Sequence, residues 1–184
     1  MSGWLWVLVC LDLSVAAQHR SFRFVVNNFY IRPTVPDIFE SINWTQPNRS
    51  TLSIAWILKR QIDQMDLETS LDIIKADKQK MRLYHIRLDA CKFLTTIHKN
   101  RIFNLFAKSV NRGSNGHLKC PLKPVSIHST CLYSLNYTIS NMHLSEDDFP
   151  QYVPECHFKA ISKFFIHQKV AIRMLLEGDV DYKH

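Results

Sequence analysis

Nine histidines and five cysteines are the residues of this 184-residue chain best suited to metal binding or catalysis. Their spacing matches no familiar motif, because H-E-x-x-H, H-x-H, C-x-x-C and the G-x-S-x-G nucleophile elbow are all absent from the sequence. His85 and His128 fall in predicted strands without a carboxylate at a useful spacing, and His117 suits a turn. The acidic run at residues 146–148 is typical of a solvated loop. We therefore expect a protein that is not an enzyme and that holds neither a metal nor a cofactor.

The elements that position these residues are predicted to be mostly β-strands, because apolar and polar residues alternate over much of the chain. The composition is that of a globular protein, with 46% hydrophobic and 21% charged residues, and its four glycines form no phosphate-binding motif. A switch of apolar phase near Tyr84 and His85 predicts a β-bulge, and residues 167–169 predict a hairpin turn. The pattern indicates an all-β, immunoglobulin-like β-sandwich of seven or eight antiparallel strands. The alternating runs are residues 22–26, 52–58, 67–73, 81–90, 125–139, 158–166 and 170–176.

One segment departs from the alternation and predicts a single inserted helix at about residues 92–108. A break is expected near Lys99 and Asn100, and residues 111–116 are predicted to form a loop. Phe103 and Phe106 fall outside the apolar arc of this helix. The arc consists of Phe93, Leu94, Ile97, Ile102 and Leu105.

The N-terminal residues predict export of the protein from the cell. An apolar run at residues 4–11 is followed by Val15 and Ala17, which suit a signal-peptidase site before Gln18. We expect a signal peptide at residues 1–17 and a single secreted domain at residues 18–184. The alternatives are a buried N-terminal strand and an uncleaved anchor.

The cysteines and sequons agree with this secreted, extracellular location. Four cysteines follow the predicted signal peptide, and an even number in a secreted chain suggests two disulfides with three possible connectivities. Four reduced cysteines in a core are the alternative. Three N-x-[ST] sequons predict glycosylation at Asn43, Asn48 and Asn136, of which Asn136 lies on the polar face of its strand.

The net charge of +7 is the last general feature of the chain. Basic residues cluster around Lys78 and again around Arg101, and such clusters attract polyanions of several kinds. Because export argues against nucleic acid as a partner, we interpret the clusters as solvated lysines and arginines. A basic rim that captures acidic lipid is the second interpretation.

Two cysteine blocks identify a family resemblance. The chain reads L-D-A-C-K-F-L at residues 88–94 and S-N-G-H-L-K-C-P at residues 114–121. These blocks resemble those of a large insect family of uncharacterised secreted proteins, catalogued as a domain of unknown function. The resemblance extends over about residues 58–176, and the family is similar to the ML lipid-recognition domain and to chemosensory proteins with a ganglioside-activator-like fold. It implies an ML-like sandwich that holds a lipid between its sheets. In the second block Asn115, His117, Cys120 and Pro121 match the family pattern.

The departures from this family concern the cysteines. Family members carry further N-terminal cysteines, whereas none occurs here between residues 18 and 90. Cys156 stands where the family has a glycine, and Cys131 is equally unusual. We therefore hypothesise the pairs Cys91–Cys120 and Cys131–Cys156, each closing a loop worth roughly 3–4 kcal/mol in the chain-entropy model.

The resemblance and the apolar strands together predict a secreted, non-enzymatic binding protein for a hydrophobic ligand. The expected partners are a lipid, sterol or cuticular hydrocarbon, in a chemosensory setting with a membrane receptor, and the oligomeric state is left open. The alternative is an extracellular glycoprotein with a filled core that acts through protein or polyanion contacts on its basic surface. A hydrolase with scattered catalytic groups is a third reading. The residues predicted to line a cavity are Ile54, Trp56, Leu58, Tyr133, Phe158, Phe164, Ile166, Ile172 and Met174.

Overall fold

The computed structural model describes residues 22–75, 77–96, 98, 100–116, 118–124, 137–150 and 153–182. Within these ranges the chain forms eight strands, two α-helices and one 3₁₀ helix. The α-helices are α1 (Ala90–Phe93) and α2 (Arg101–Gly113), and the 3₁₀ helix spans Glu146–Asp148. The strands are β1 (Phe22–Pro33), β2 (Phe39–Asn48), β3 (Thr51–Leu58), β4 (Asp66–Lys75), β5 (Lys80–Asp89), β6 (Tyr137–Met142), β7 (Cys156–Ile166) and β8 (Lys169–Tyr182).

Two antiparallel sheets make up the fold, which confirms the predicted all-β sandwich. The larger sheet has the order β1-β8-β7-β4-β5, and the smaller has the order β2-β3-β6. Strands β7 and β8 form the predicted hairpin through a two-residue turn. Both turn residues, His167 and Gln168, have positive φ angles of 49° and 65°. This combination matches the right-handed twist of the flanking strands, as in a type I′ turn.

Alternation along the strands separates a buried face from an outer face. In β4, Leu67, Thr69 and Leu71 are buried, whereas Glu68 and Ser70 are only partly covered. Burial then extends across both sheets, because residues of β3 pack with residues of β1, β4, β7 and β8 in one apolar cluster. The core therefore lies between the sheets, as period-two patterning requires.

The predicted bulge in β5 is confirmed, one residue from its expected place. Leu71 pairs with Tyr84 and Asp72 pairs with Arg82, so Leu83 is the extra residue. Leu83 remains 41% exposed. The bulge therefore reverses which residues of β5 face the interior, and Tyr84 is directed inward, where it packs against the core.

The helical segment begins slightly earlier and ends later than its pattern predicts, at Ala90 and Gly113. It is divided into α1 and α2, and the break lies near Asn100 as expected. Asn100 begins α2, since its side chain accepts a hydrogen bond from the Ile102 backbone N–H at 2.9 Å. The prediction of a loop from residue 111 is wrong, because α2 continues to Gly113. A Cβ atom at Gly113 would lie 2.7 Å from Ile139 Cγ2, so glycine permits this close approach of the helix to β6.

Placing Phe103 and Phe106 outside the apolar face of the helix is also wrong. Phe103 is 8% exposed, and both residues line the internal cavity described below. The predicted arc assumes one continuous helix from residue 92, whereas α2 starts at Arg101 and therefore presents a different face. Because α1 ends at Phe93, before α2 begins, the residue spacing before the break does not predict which side of α2 is buried.

Strand β2 is an addition to the sequence-based prediction. Its residues include Asn43, Gln46 and Pro47, which are uncommon in strands, and only Phe39 is fully buried. It lies at the edge of the smaller sheet, where polar side chains face solvent. The long strand predicted at residues 125–139 is seen only from Tyr137 onward, because its earlier part lies outside the described residues.

Candidate ligand-binding cavity

An apolar cavity of about 220 Å³ lies between the two sheets. The larger sheet supplies side chains from all five of its strands, and the smaller sheet supplies Ile54, Trp56, Ile139 and others. No residue lining the cavity in the described part of the chain carries a charged side chain. A hydrocarbon group that moves from water into this cavity would therefore contact no charged side chain.

The helical segment covers one side of this cavity. Phe93 of α1 and Phe103 of α2 line it, and Phe103 packs edge-to-face on Tyr84 of β5 with ring centroids 4.8 Å apart. Aromatic pairs in this geometry contribute about 0.5–1.5 kcal/mol beyond the area they bury. The aromatic side chains therefore join the helices to the inner face of the larger sheet.

A disulfide fixes the chain at the same side. Cys91 and Cys120 are bonded, which confirms the first of the two predicted pairs, and both line the cavity. Near the disulfide, Ile62 and Leu122 form an isolated bridge, with N–H···O distances of 2.8 and 2.9 Å. The two links hold the segment around Cys120 against the sandwich.

Three hydroxyl groups lie together on the otherwise apolar wall. Thr69 of β4 and Ser162 of β7 are directly opposed, and their Oγ atoms are 2.9 Å apart. Their residues are 9% and 6% exposed. Tyr84 hydrogen-bonds to the Thr69 side chain, and burial raises the pKa of its phenol above the usual value while that hydrogen bond opposes the rise. The phenol is therefore a neutral O–H group at neutral pH.

The structure brings together five of the nine residues predicted to line a cavity, while Leu58, Phe158 and Ile166 pack in the core away from it. Tyr133 lies outside the described residues. The five that line the cavity are Ile54, Trp56, Phe164, Ile172 and Met174.

Sequence reasoning missed the hydroxyl groups, although a signal for them was present. Thr69 lies on the buried phase of β4, between Leu67 and Leu71. Ser162 lies on the buried phase of β7, two residues from Ala160. A hydroxyl on the apolar phase of a strand marks a polar group that the core must accommodate.

The basic clusters are largely engaged by aspartates. Arg82 Nε and Lys80 Nζ lie 2.8 and 3.1 Å from the carboxylate of Asp72, which is 3% exposed. The hydrogen bond from Arg82, then that from Lys80, lowers the pKa of Asp72 to about 2. Asp148 is bound in the same way by Lys108 and Arg112 of α2, at 3.1 and 3.2 Å.

The acidic run therefore has a structural contact rather than a wholly solvated position. Arg101 also donates to the backbone oxygen of Asp148 at 3.0 Å, so three basic residues of α2 hold the 3₁₀ helix. An open groove of about 910 Å³ beside α2 is lined by these residues. Its volume exceeds that of the internal cavity, but it is open and partly lined by charged residues, and Lys108 and Arg112 are already paired with Asp148.

The other predicted sites lie on the surface or outside the described residues. Asn43 and Asn48 are exposed on β2, and Asn136 is not among the described residues. Cys156 is half-buried, and because Cys131 lies outside the described residues, the predicted Cys131–Cys156 pair stays a prediction. Within the described ranges, no helix is long and apolar enough to cross a membrane, and no cluster of metal-ligating side chains occurs.

The fold and cavity define an all-β sandwich with an apolar interior under a helical cover. The family model described as "Protein of unknown function (DUF1091)" matches residues 67–160, and the chain belongs to this family. The matched segment contains Thr69, Tyr84 and both bonded cysteines, and it ends two residues before Ser162. No curated protein matches the chain.

Proposed function

We propose that the protein is a secreted, non-enzymatic binding protein for a small hydrophobic ligand. The observation that carries the proposal is the uncharged cavity between the sheets, which five of the predicted residues line. Ligand sites are typically concave, mostly apolar and supplied with a few polar groups, and this cavity has that composition. The resemblance to the ML lipid-recognition domain supports the same function.

The cavity volume limits the size of the ligand. Sites for drug-sized molecules measure roughly 300–1,000 Å³, and a cavity of ~150 Å³ is enough for benzene. At about 220 Å³ the cavity favours a short or single-chain molecule over a rigid sterol. Each methylene group buried contributes about 0.8 kcal/mol, so a short chain gains useful affinity from burial alone.

Secretion is part of the proposal and has separate support. The bonded Cys91–Cys120 pair suits an oxidising compartment. Asn43 and Asn48 are exposed, so a glycan at either residue would not displace the core. The apolar N-terminal run and its cleavage pattern agree with the same route.

The alternative function, through a basic surface, has less support. It requires cationic groups that are free to meet a polyanion, yet Arg82, Lys108 and Arg112 are paired with aspartates. Pairing lowers the positive potential that such a surface presents. The cavity is therefore the better basis for a function.

The experiment is a binding titration with octanol as the probe, followed by tryptophan fluorescence, to which Trp56 in the cavity wall contributes, or by displacement of a hydrophobic dye. Ala160 lines the cavity, so Ala160→Leu should fill part of it and weaken binding at least tenfold. Ala55→Leu on β3 is the matched control, because Ala55 does not line the cavity. Equal binding by the wild type and by a folded Ala160→Leu variant would contradict the proposal.

A further inference from the structure

The hydroxyl groups of Thr69, Ser162 and Tyr84 are the polar feature of the cavity wall that most restricts its ligand. They come from three neighbouring strands of the larger sheet, β7, β4 and β5. Thr69 is the central member, since it contacts Ser162 at 2.9 Å and is also hydrogen-bonded to Tyr84. The other lining residues of the described chain are hydrocarbon or sulfur side chains, apart from the indole of Trp56.

Counting donors shows that this trio is incomplete by itself. Each hydroxyl has one O–H donor and two acceptor lone pairs. Two hydrogen bonds join the three groups in the described structure, so they use two of the three donors. One O–H donor is left over at an end of the chain of hydroxyls, beside unused lone pairs. A buried donor without a partner costs roughly 1–3 kcal/mol, and a ligand that accepts from it would remove that cost.

The chemistry of the wall also sets the charge of the ligand. An ionised carboxylate buried without a cation is strongly unfavourable, and no lining residue in the described ranges is cationic. A hydrocarbon would fit the apolar wall but would leave the spare O–H unpaired. A carbonyl or hydroxyl oxygen on a short apolar chain satisfies both parts of the wall.

We propose that the cavity selects neutral amphiphiles that carry one hydrogen-bonding oxygen, such as an alcohol, aldehyde, ketone or ester, over hydrocarbons and fatty acid anions. Ser162 and Tyr84, at the two ends of the trio, are the groups that bind this oxygen, and Thr69 positions them. The inference rests on the proposed function, since it names the class of ligand that the cavity takes.

The test compares four probes of equal chain length: octane, octanol, octanal and octanoate. Calorimetry or dye displacement measures each affinity at neutral pH with the full secreted chain. One added neutral hydrogen bond predicts that octanol and octanal bind about fivefold to tenfold more tightly than octane. Octanoate should bind more weakly than octanol, since its charge has no partner in the cavity.

Variants assign the preference to the hydroxyls. The Thr69→Val/Tyr84→Phe/Ser162→Ala triple variant removes all three O–H groups, so it should bind octane as the wild type does and lose the preference for octanol. Retained octane affinity also shows that the variant is folded. Ser70→Ala is the matched control, because Ser70 is next to Thr69 on the same strand but does not line the cavity. It should leave the preference unchanged.

The remaining outcomes overturn the inference in distinguishable ways. Equal affinity for octane and octanol, tightest binding of octanoate, or an unchanged preference in the triple variant contradicts the ligand class while leaving hydrophobic binding intact. Failure of all four probes to bind contradicts both the ligand class and the proposed function.

Discussion

The two faces of strands β4 and β7 handle polar groups in opposite ways. On the inner face, Thr69 opposes Ser162, and both are buried and uncharged. One residue along, Glu68 opposes Lys163 on the outer face, with Nζ and Oε1 2.9 Å apart and both side chains partly exposed. The same pair of strands therefore carries a neutral hydrogen bond toward the cavity and an ion pair toward solvent.

The ion pair on the outer face and the hydroxyl pair on the inner face differ in what they contribute to stability. Exposed ion pairs contribute about 0–1 kcal/mol each, and solvent would satisfy their partners if they were absent. A hydroxyl on an apolar wall has no such substitute and weakens the core unless it is paired. The paired hydroxyls of Thr69 and Ser162 are therefore the polar groups that we propose serve the ligand.

The largest effect on the free energy of unfolding is expected when a charge is placed on the inner face. Ser162→Asp would bury a carboxylate in a wall without a cationic partner, and we expect a loss of about 4 kcal/mol or more in the free energy of unfolding. Denaturant unfolding followed by circular dichroism measures the loss. The same charge on the outer face, in Ser70→Asp, should change the free energy by less than about 1 kcal/mol. Similar losses in the two variants would show that the faces do not differ as described.

Removing the Cys91–Cys120 disulfide tests whether the cavity wall depends on this covalent link. Replacing both Cys91 and Cys120 with Ser opens a link across 29 residues, and we expect a loss of about 3 kcal/mol in the free energy of unfolding. Because both cysteines line the cavity, octanol affinity should fall in the same variant. Unchanged affinity in a folded variant would show that the wall is held by packing alone.

Asp72 is an intermediate case on the outer face, because its carboxylate is buried while its partners Lys80 and Arg82 are exposed. Asp72→Asn removes the partner of Arg82 and Lys80, and we expect a loss of about 1–2 kcal/mol at neutral pH. The folded protein lowers the pKa of this carboxyl from 3.8 to about 2. Its contribution is therefore complete above pH 4 and is lost as the pH falls from about 4 to 2.

The measurement for Asp72 is the free energy of unfolding of both proteins between neutral and acid pH. The difference between wild type and Asp72→Asn should shrink as the carboxyl of the wild type becomes protonated. A difference that stays constant down to pH 2 would show that the carboxylate charge makes no contribution.

The smallest expected effect is on the partly exposed ion pair of Glu68 and Lys163. The hydrogen bond from Lys163 is the main cause that lowers the pKa of Glu68, with a smaller contribution from His85. Glu68→Gln should nevertheless lower the free energy of unfolding by less than about 1 kcal/mol, because this pair is partly exposed to solvent and salt. Thermal unfolding at low and high salt measures it. A larger loss that is independent of salt would contradict the assignment of this face to solvent.

Period-two alternation was sufficient to predict the sheets, since their inner faces are lined by apolar residues in register. The β7–β8 hairpin and the bulge at Leu83 followed from the same signal. Strand β2 could not be predicted from alternation, because it is an edge strand stabilised by pairing with β3, and its many polar residues are also typical of a loop. The extent of α2 could not be predicted, because its end depends on packing of Gly113 against β6.

The cavity itself is a property of three-dimensional packing. The sequence indicated bulky apolar side chains on the right strands, yet Phe158 and Leu58 fill space whereas Phe164 and Ile54 border the void. Which of two equally apolar residues borders a void depends on how the sheets diverge. The helical wall was missed for a related reason, since the face of α2 is set by where the helix restarts.

The most direct test of the central claim is native mass spectrometry of the protein secreted from insect cells, followed by organic extraction. We predict a stoichiometric extra mass on the wild type that extracts as a small neutral amphiphile and is absent from Ala160→Leu. A wild-type protein that carries only glycans, and that remains free of added mass after incubation with octanol and octane, would contradict the account.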